Sequence, residues 1–371
     1  MDKMFKRTLL GAAVATAAMS GSANAAVELA GDAVQFYGQA AGFMIVADNN
    51  VDETTSAGGV IESRIGFRGT VEFEDFGPDL VWQIEGGNAD NSAKSGQLGA
   101  RDTYLGLSFA NGNTFKFGRQ LVAAYNYVDW PHTNPGLGGV FDWHNDIGAS
   151  YQDRADNVFR FDSASFNGFN FQATLSGMEQ ETERMVASLG TSYTTDMFSL
   201  HAGYYQQKAH SKGVDEPTKW IVDQNTGTVA INPDWTAWSN GGSAKFETVD
   251  KQSYTIVGGS FFLGNTTLTA GYKMMKFGAA KQNAFSATAQ HVIDGTWVLK
   301  AGYAATDDAT AKDGSKMENS ADKAVTARLG YLLPSAYLYI DSRNSKVSHK
   351  DNKWNNKDWT HQILVGAEYY F

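Results

Sequence analysis

A period of two constrains this chain more than any other feature. Sixteen segments alternate apolar with polar side chains and are separated by turns or polar connections. Successive side chains on a strand point to opposite faces. In residues 60–74, Ile61, Ile65, Phe67, Val71 and Phe73 therefore share one face, while Glu62, Arg64, Arg68, Thr70 and Glu72 share the other. In residues 266–275, Leu268, Ala270, Tyr272 and Met274 oppose Thr267, Thr269, Gly271 and Lys273. The segments run to about 8–14 residues, the length a tilted strand needs to cross a bilayer. The fold expected is an all-β transmembrane antiparallel barrel of sixteen strands.

The connections support closure into such a barrel. Those after even-numbered segments are tight, as at Gly264-Asn265, Asp294-Gly295 and Pro334-Ser335, and those after odd-numbered segments are generally longer and more polar. Short turns at one end and long loops at the other are the pattern of an outer-membrane barrel. In hydrocarbon every backbone polar group must be paired within the protein, so a β-chain spans only when its sheet has no edge. An even strand number puts both termini on the short-turn side, expected to be periplasmic.

Residues 1–25 read as a secretory signal peptide: Lys3, Lys6 and Arg7, then an apolar run from Leu9 to Met19, then Ala23-Asn24-Ala25 as a small-residue cleavage site. The expected mature domain, residues 26–371, has 346 residues and a net charge of −12. That charge disfavours nucleic acid as a partner. With no cysteine in the chain, the framework is held without disulfides.

One stretch breaks the alternation. Residues 121–151 hold Trp130, Pro131, Pro135, Gly136, Gly138 and Gly139, with Asp129, Asp142 and Asp146. A long structureless loop in a compact domain is usually functional. It is expected to fold into the barrel and narrow it, with Pro135, Gly138 and Gly139 shaping its turn.

Nearly the whole mature chain resembles the general, trimeric porins of Gram-negative outer membranes. The resemblance rests on Phe36-Tyr37-Gly38-Gln39, Ser63-Arg64-Ile65-Gly66-Phe67-Arg68-Gly69 and Phe117-Gly118-Arg119-Gln120. It rests also on Arg160-Phe161-Asp162-Ser163 and on the terminal Val365-Gly366-Ala367-Glu368-Tyr369-Tyr370-Phe371. It implies an inward third extracellular loop whose acids face a row of arginines across a constriction, and a water-filled channel for ions and small hydrophilic solutes. The family arginines map onto Arg64, Arg101 and Arg154, and parity adds Arg68 and Arg160 to the basic wall. Arg101 falls with Leu105, Leu107 and Phe109 by simple alternation, so either a bulge near Gly106 shifts the register or Arg101 sits at the rim. Asp129, Asp142 and Asp146 are the candidate loop acids. Asp142 and Asp146 are the candidates to stand in for a family glutamate missing from Pro135-Gly136-Leu137-Gly138-Gly139 and an aspartate replaced around His132. Gln39 stands where a constriction lysine is common. Glu62, Asp156, Asp162 and Asp142 are candidates to balance Arg64, Arg68, Arg154 and Arg160. Ordinary lumen-facing charge is the plainer reading of the same residues.

Phe36, Gly38, Ala40 and Gly42 form a low outer face suited to a subunit interface. Arg119 shares the outward parity of Phe115 and Phe117, where a neighbouring subunit could meet its charge. The implied assembly is a homotrimer in contact with outer-membrane lipid and lipopolysaccharide. Tyr369 and Phe371 resemble the signal read by outer-membrane assembly machinery. His132 and His144 lack metal spacing, and no serine-hydrolase motif stands out, so no metal, cofactor or enzymatic activity is expected. Two alternatives remain: a sugar-selective channel with Trp130, Phe141 and Trp143 as stacking surfaces, or a structural or adhesive barrel with a closed lumen.

Overall fold

Alternation of burial runs along the barrel staves and is strict in the stave at residues 280–293, where buried and more exposed side chains exchange at every step. A computed structural model describes residues 26–49, 54–89, 96–127, 136–142, 144–178, 182–213, 217–222, 228–240, 246–347 and 359–371. The sixteen staves are β1 (Gln35–Asn49), β2 (Thr54–Ile61 continued by Arg64–Phe73), β3 (Phe76–Gly86), β4 (Leu98–Ser108), β5 (Thr114–Leu121), β6 (Arg154–Asp162), β7 (Phe169–Ser176) and β8 (Val186–Thr194). They continue as β9 (Phe198–Gln207), β10 (Gln252–Leu263), β11 (Thr266–Phe277), β12 (Ala280–Ile293), β13 (Trp297–Thr306), β14 (Lys323–Leu333), β15 (Ala336–Lys346) and β16 (Thr360–Tyr370). Each pairs antiparallel with its neighbours in sequence, and β16 closes on β1 from Gln39–Tyr370 to Asp48–His361. Phe371 extends that seam: its amide donates to the Gly38 carbonyl at 3.1 Å and its carbonyl accepts from the Gly38 amide at 2.7 Å.

The tight turns obey hairpin chemistry. Asn167-Gly168 and Asp294-Gly295 take positive φ at both positions, the backbone twist that a two-residue hairpin demands. At the other end, the connection after β9 carries two short hairpins, His210–Gly213 with Phe246–Val249 and Trp220–Val222 with Val229–Ile231, and the helix Pro233–Ser239.

The outer face carries the exposed apolar side chains, among them Leu105, Leu200, Leu268, Leu329 and Val365. A belt of this kind is stable in hydrocarbon and unstable in water. The buried apolar core lies inside the barrel. Leu137, Val140 and Phe141 of the inward loop pack with Tyr205, Tyr254, Ile256 and Met275 and with the alanines Ala284, Ala304 and Ala324. Small residues on β12, β13 and β14 leave space for the loop's α-helical turn, Gly138–Phe141, which contacts those three strands.

Bulges rather than breaks in the sheet explain two departures from simple parity. The β3–β4 pairing jumps from Ile84–Thr103 to Gly86–Leu98, with Gly99 at φ +89. The irregularity lies between Leu98 and Thr103, not near Gly106, and it brings Arg101 to the lumen-facing Glu85. The β5–β6 pairing shifts from Gly118–Val158 to Gln120–Ala155, with Asn157 at φ +51. The extra residue turns Asp156 outward, off the face it was expected to share with Arg154 and Arg160.

Candidate channel constriction

Residues 122–127, 136–142 and 144–153 are the described parts of the inward loop, tied at its base by the Val122 amide donating to the Asp153 carbonyl at 2.9 Å. Wall side chains then hold its length. The amides of Ala123 and Ala124 donate to Thr174 Oγ1 at 3.0 Å and Ser188 Oγ at 2.9 Å. Tyr127 stacks on His201 at 5.1 Å. Farther along, Gln252 exchanges two 2.9 Å hydrogen bonds with the backbone of Ser150. Lys273 Nζ donates to the Asp142 carbonyl at 2.8 Å and lies over the rings of Tyr151 and Tyr254. Burial pushes the Tyr127 phenol up to about 12 and raises that of Tyr151 further, so both stay neutral at ordinary pH.

The loop acids take part in this attachment. The Asp142 carboxylate accepts from Tyr125 OH at 2.7 Å. Asp146 accepts from Gln282 Nε2 at 3.1 Å and its amide donates to Gln282 Oε1 at 2.9 Å. Both acids are buried. Phe141 is fully buried against the wall, so no face of its ring is open to a solute. Gly138 and Gly139 form the helical turn. Asp129, Trp130, His132, Pro135 and Trp143 lie outside the described residues.

Across the lumen the basic wall is laid out in pairs. Arg101 Nε donates to Glu85 at 2.5 Å, and Tyr37 OH donates to the same carboxylate at 2.8 Å. Arg64 shares this pocket of charge, close to Arg101, Glu85 and Tyr370, and its Nε is buried with no hydrogen-bond partner. Arg68 Nε donates to Gln35 at 3.2 Å and lies over the Tyr37 ring. Arg154 meets Asp102 at 2.6 Å, and Arg160 and Lys116 both meet Asp162, at 2.7 and 3.0 Å. Of the expected balancing acids, Asp162 alone takes that place by a direct ion pair among the described residues.

The sequence reading missed the continuation of this wall on β14 and β15. Asp341, fully buried, accepts two bonds from Arg328 at 2.6 and 2.7 Å and two from Arg343 at 2.9 and 3.2 Å. The alternation of Asp341 and Arg343 with Leu338 and Ile340 carried the signal. Arg343 also meets the inward loop. Gly136, at φ +71, sits so near that a Cβ there would lie 2.6 Å from Arg343 Cδ.

The outer-face candidates are packed within the chain. Phe36 contacts Phe67 and Phe371 at 5.3 and 5.5 Å between centroids, Gly38 lies beneath the Phe371 ring, and Gly42 beneath Ile61. Ala40 is exposed. Arg119 pairs with the outward Asp156 at 2.7 Å and donates to the Ala100 carbonyl at 2.7 Å, so its charge is met inside its own subunit. Tyr369 is exposed and stacks with Phe371 at 6.1 Å.

A closed sixteen-stranded barrel with an inward loop and a charged lumen agrees with the known proteins it resembles. Residues 11–369 match the Gram-negative porin family model. A chitoporin of Vibrio furnissii is 32% identical over the whole of both chains. An anion-selective porin from Comamonas acidovorans shares the fold at a TM-score of 0.65 and 18% identity, covering 91% of this chain and 99% of that one. The trimer form of Vibrio cholerae OmpT does so at 0.61 and 17%, with the same coverage. The chain belongs to the Gram-negative porin family, and it is an outer-membrane channel for passive diffusion of ions and small hydrophilic solutes.

Proposed function

We propose that the eye of this channel lies between the inward loop and the basic wall on β14 to β16 and β1 to β6, and that it passes anions in preference to cations. The observation that carries this is the excess of cations among the charged residues grouped on that wall. Arg64, Arg68, Arg101, Lys116, Arg154, Arg160, Arg328 and Arg343 face Glu85, Asp102, Asp162, Asp341 and Glu368, eight cations to five acids. The carboxylates of Asp142 and Asp146 are engaged with Tyr125 and Gln282 and do not offset that excess at the open side of the loop. Charged rows at a constriction set ion preference in this way.

The working unit is a homotrimer with both termini periplasmic and the long loops extracellular, in contact with lipid and lipopolysaccharide. Residues 1–25 direct export and residues 26–371 form the single barrel domain. Tyr369 and Phe371 present the assembly signal. The chain acts as a channel and not as an enzyme.

Single-channel recording in a planar bilayer under a salt gradient tests the reading. A reversal potential of the anion-selective sign and closure in three equal steps are expected. A cation-selective sign overturns the charge assignment, and insertion without conductance overturns the open pore in favour of a structural barrel. A second reading, selective passage of chitin-derived sugars, has the full-length likeness to a chitoporin in its favour. Saturable current block by those oligosaccharides, and not by maltose oligomers, would establish it.

A further inference from the structure

We propose that His144, Asp146 and Asp322 form a divalent-cation site that staples the far end of the inward loop to the long connection between β13 and β14. Each residue offers one ligand atom, and these atoms lie within 4.8 Å of one another. His144 Nδ1 is 2.6 Å from Asp322 Oδ2. Asp322 is fully buried and Asp146 nearly so. Asp322 approaches the His144 imidazole, and Asp146 accepts from the Gln282 amide. Two carboxylates this close in a dry site repel one another. A dication between them neutralises both and takes the imidazole nitrogen as its third ligand.

The surroundings are those of a supported site. Gln282 holds Asp146 by both its backbone amide and its carboxylate, and also donates to the Asp307 carbonyl at 3.0 Å. The Asp322 amide donates to Thr306 Oγ1 at 2.8 Å. Partners of this kind orient ligands and tune affinity. One imidazole and two carboxylates suit Zn²⁺ and similar first-row ions better than Ca²⁺ or Mg²⁺, which prefer oxygen alone. Donors about 2.0–2.2 Å from an ion stand roughly 3 Å or more apart. Binding therefore replaces the short His144–Asp322 contact and draws Asp146 inward. The sequence carried no spacing signal because Asp322 is 178 residues from His144. Occupancy would stiffen the end of the loop that borders the eye.

The test is calorimetric titration of chelator-treated, folded porin in detergent with Zn²⁺, repeated with Ca²⁺ and paired with thermal unfolding. The expected result is one saturable Zn²⁺ per chain, reversed by EDTA, with a raised unfolding midpoint. His144→Ala and Asp146→Asn should each weaken binding at least about tenfold. Gln282→Ala, which keeps all three donors, should weaken it about 10- to 100-fold. His210→Ala, on the outer arm, should leave it unchanged. No saturable Zn²⁺ uptake by the wild type overturns the site, as does uptake unchanged in His144→Ala and Asp146→Asn. Preference for Ca²⁺ overturns the donor assignment. Should His144→Ala fail to fold, Asp146→Asn and Gln282→Ala carry the same decision.

Discussion

Single residues in the eye act through charge they hold in place as much as through charge they expose. Asp341 is the clearest case, since it anchors both Arg328 and Arg343. Asp341→Asn would leave two arginines without their shared counter-ion. Breaking a fully buried pair costs roughly 3–5 kcal/mol. Arg343 keeps contact with water, so the expected loss is smaller, about 2–3 kcal/mol, with anion preference increased; urea unfolding and reversal potential read the two effects. Arg343→Ala should do the reverse to permeation. It removes a cation and a long side chain from the point where Gly136 faces the wall, so conductance rises and anion preference falls. Gly136→Ala is a separate probe of the same point. Its left-handed φ of +71 costs a non-glycine residue about 1–2 kcal/mol, and the new Cβ must displace Arg343. Its channels should differ in conductance from the wild type while the barrel remains folded, and unchanged single-channel current would mean that Gly136 does not border the eye.

At the scale of elements, the inward loop is a docked piece rather than a free one. Phe141 is the largest fully buried side chain among its described residues, and truncation of a buried phenylalanine costs about 3–5 kcal/mol. Phe141→Ala should leave the sixteen strands paired but loosen the loop, giving flickering current and a larger open level; a variant trace as quiet as that of the wild type would sink this account of the docking. The staves were legible in the sequence because water on one face and hydrocarbon on the other impose a period of two. The docking was not. Thr174, Ser188, Gln252, Lys273 and Gln282 each serve the loop, yet each is a single polar residue on the wet face of a strand and looks like any other. Asp142 and Asp146 read as lumen acids because spacing cannot tell which side of a loop a side chain takes. Parity failed at Arg101 and Asp156 for a third reason: one or two residues bow out of register there, and Gly99, Gly118 and Asn157 were the faint marks of it.

For the molecule as a whole, closure is the condition for existing in a bilayer, because an open sheet edge leaves a row of unpaired amides and carbonyls. The seam between β1 and β16 is therefore the place where one residue can decide the entire fold. Phe371 finishes the seam with two backbone bonds to Gly38 and lays its ring across that glycine. A Cβ at position 38 would fall 2.5 Å from the ring and 2.9 Å from the Arg64 carbonyl, and the latter belongs to rigid backbone. Gly38→Val should thus reduce the yield of closed barrel, seen as loss of the heat-dependent gel shift of the folded form. Ala40, two residues on and exposed on the same outer face, offers the contrast. Ala40→Trp meets no such obstacle within the subunit, so the monomeric barrel should form normally while trimers fall apart if this face is the subunit contact. Trimers that survive Ala40→Trp, with Gly38→Val still failing, would assign the small residues of β1 to closing their own barrel and would move the trimer interface elsewhere on the wall.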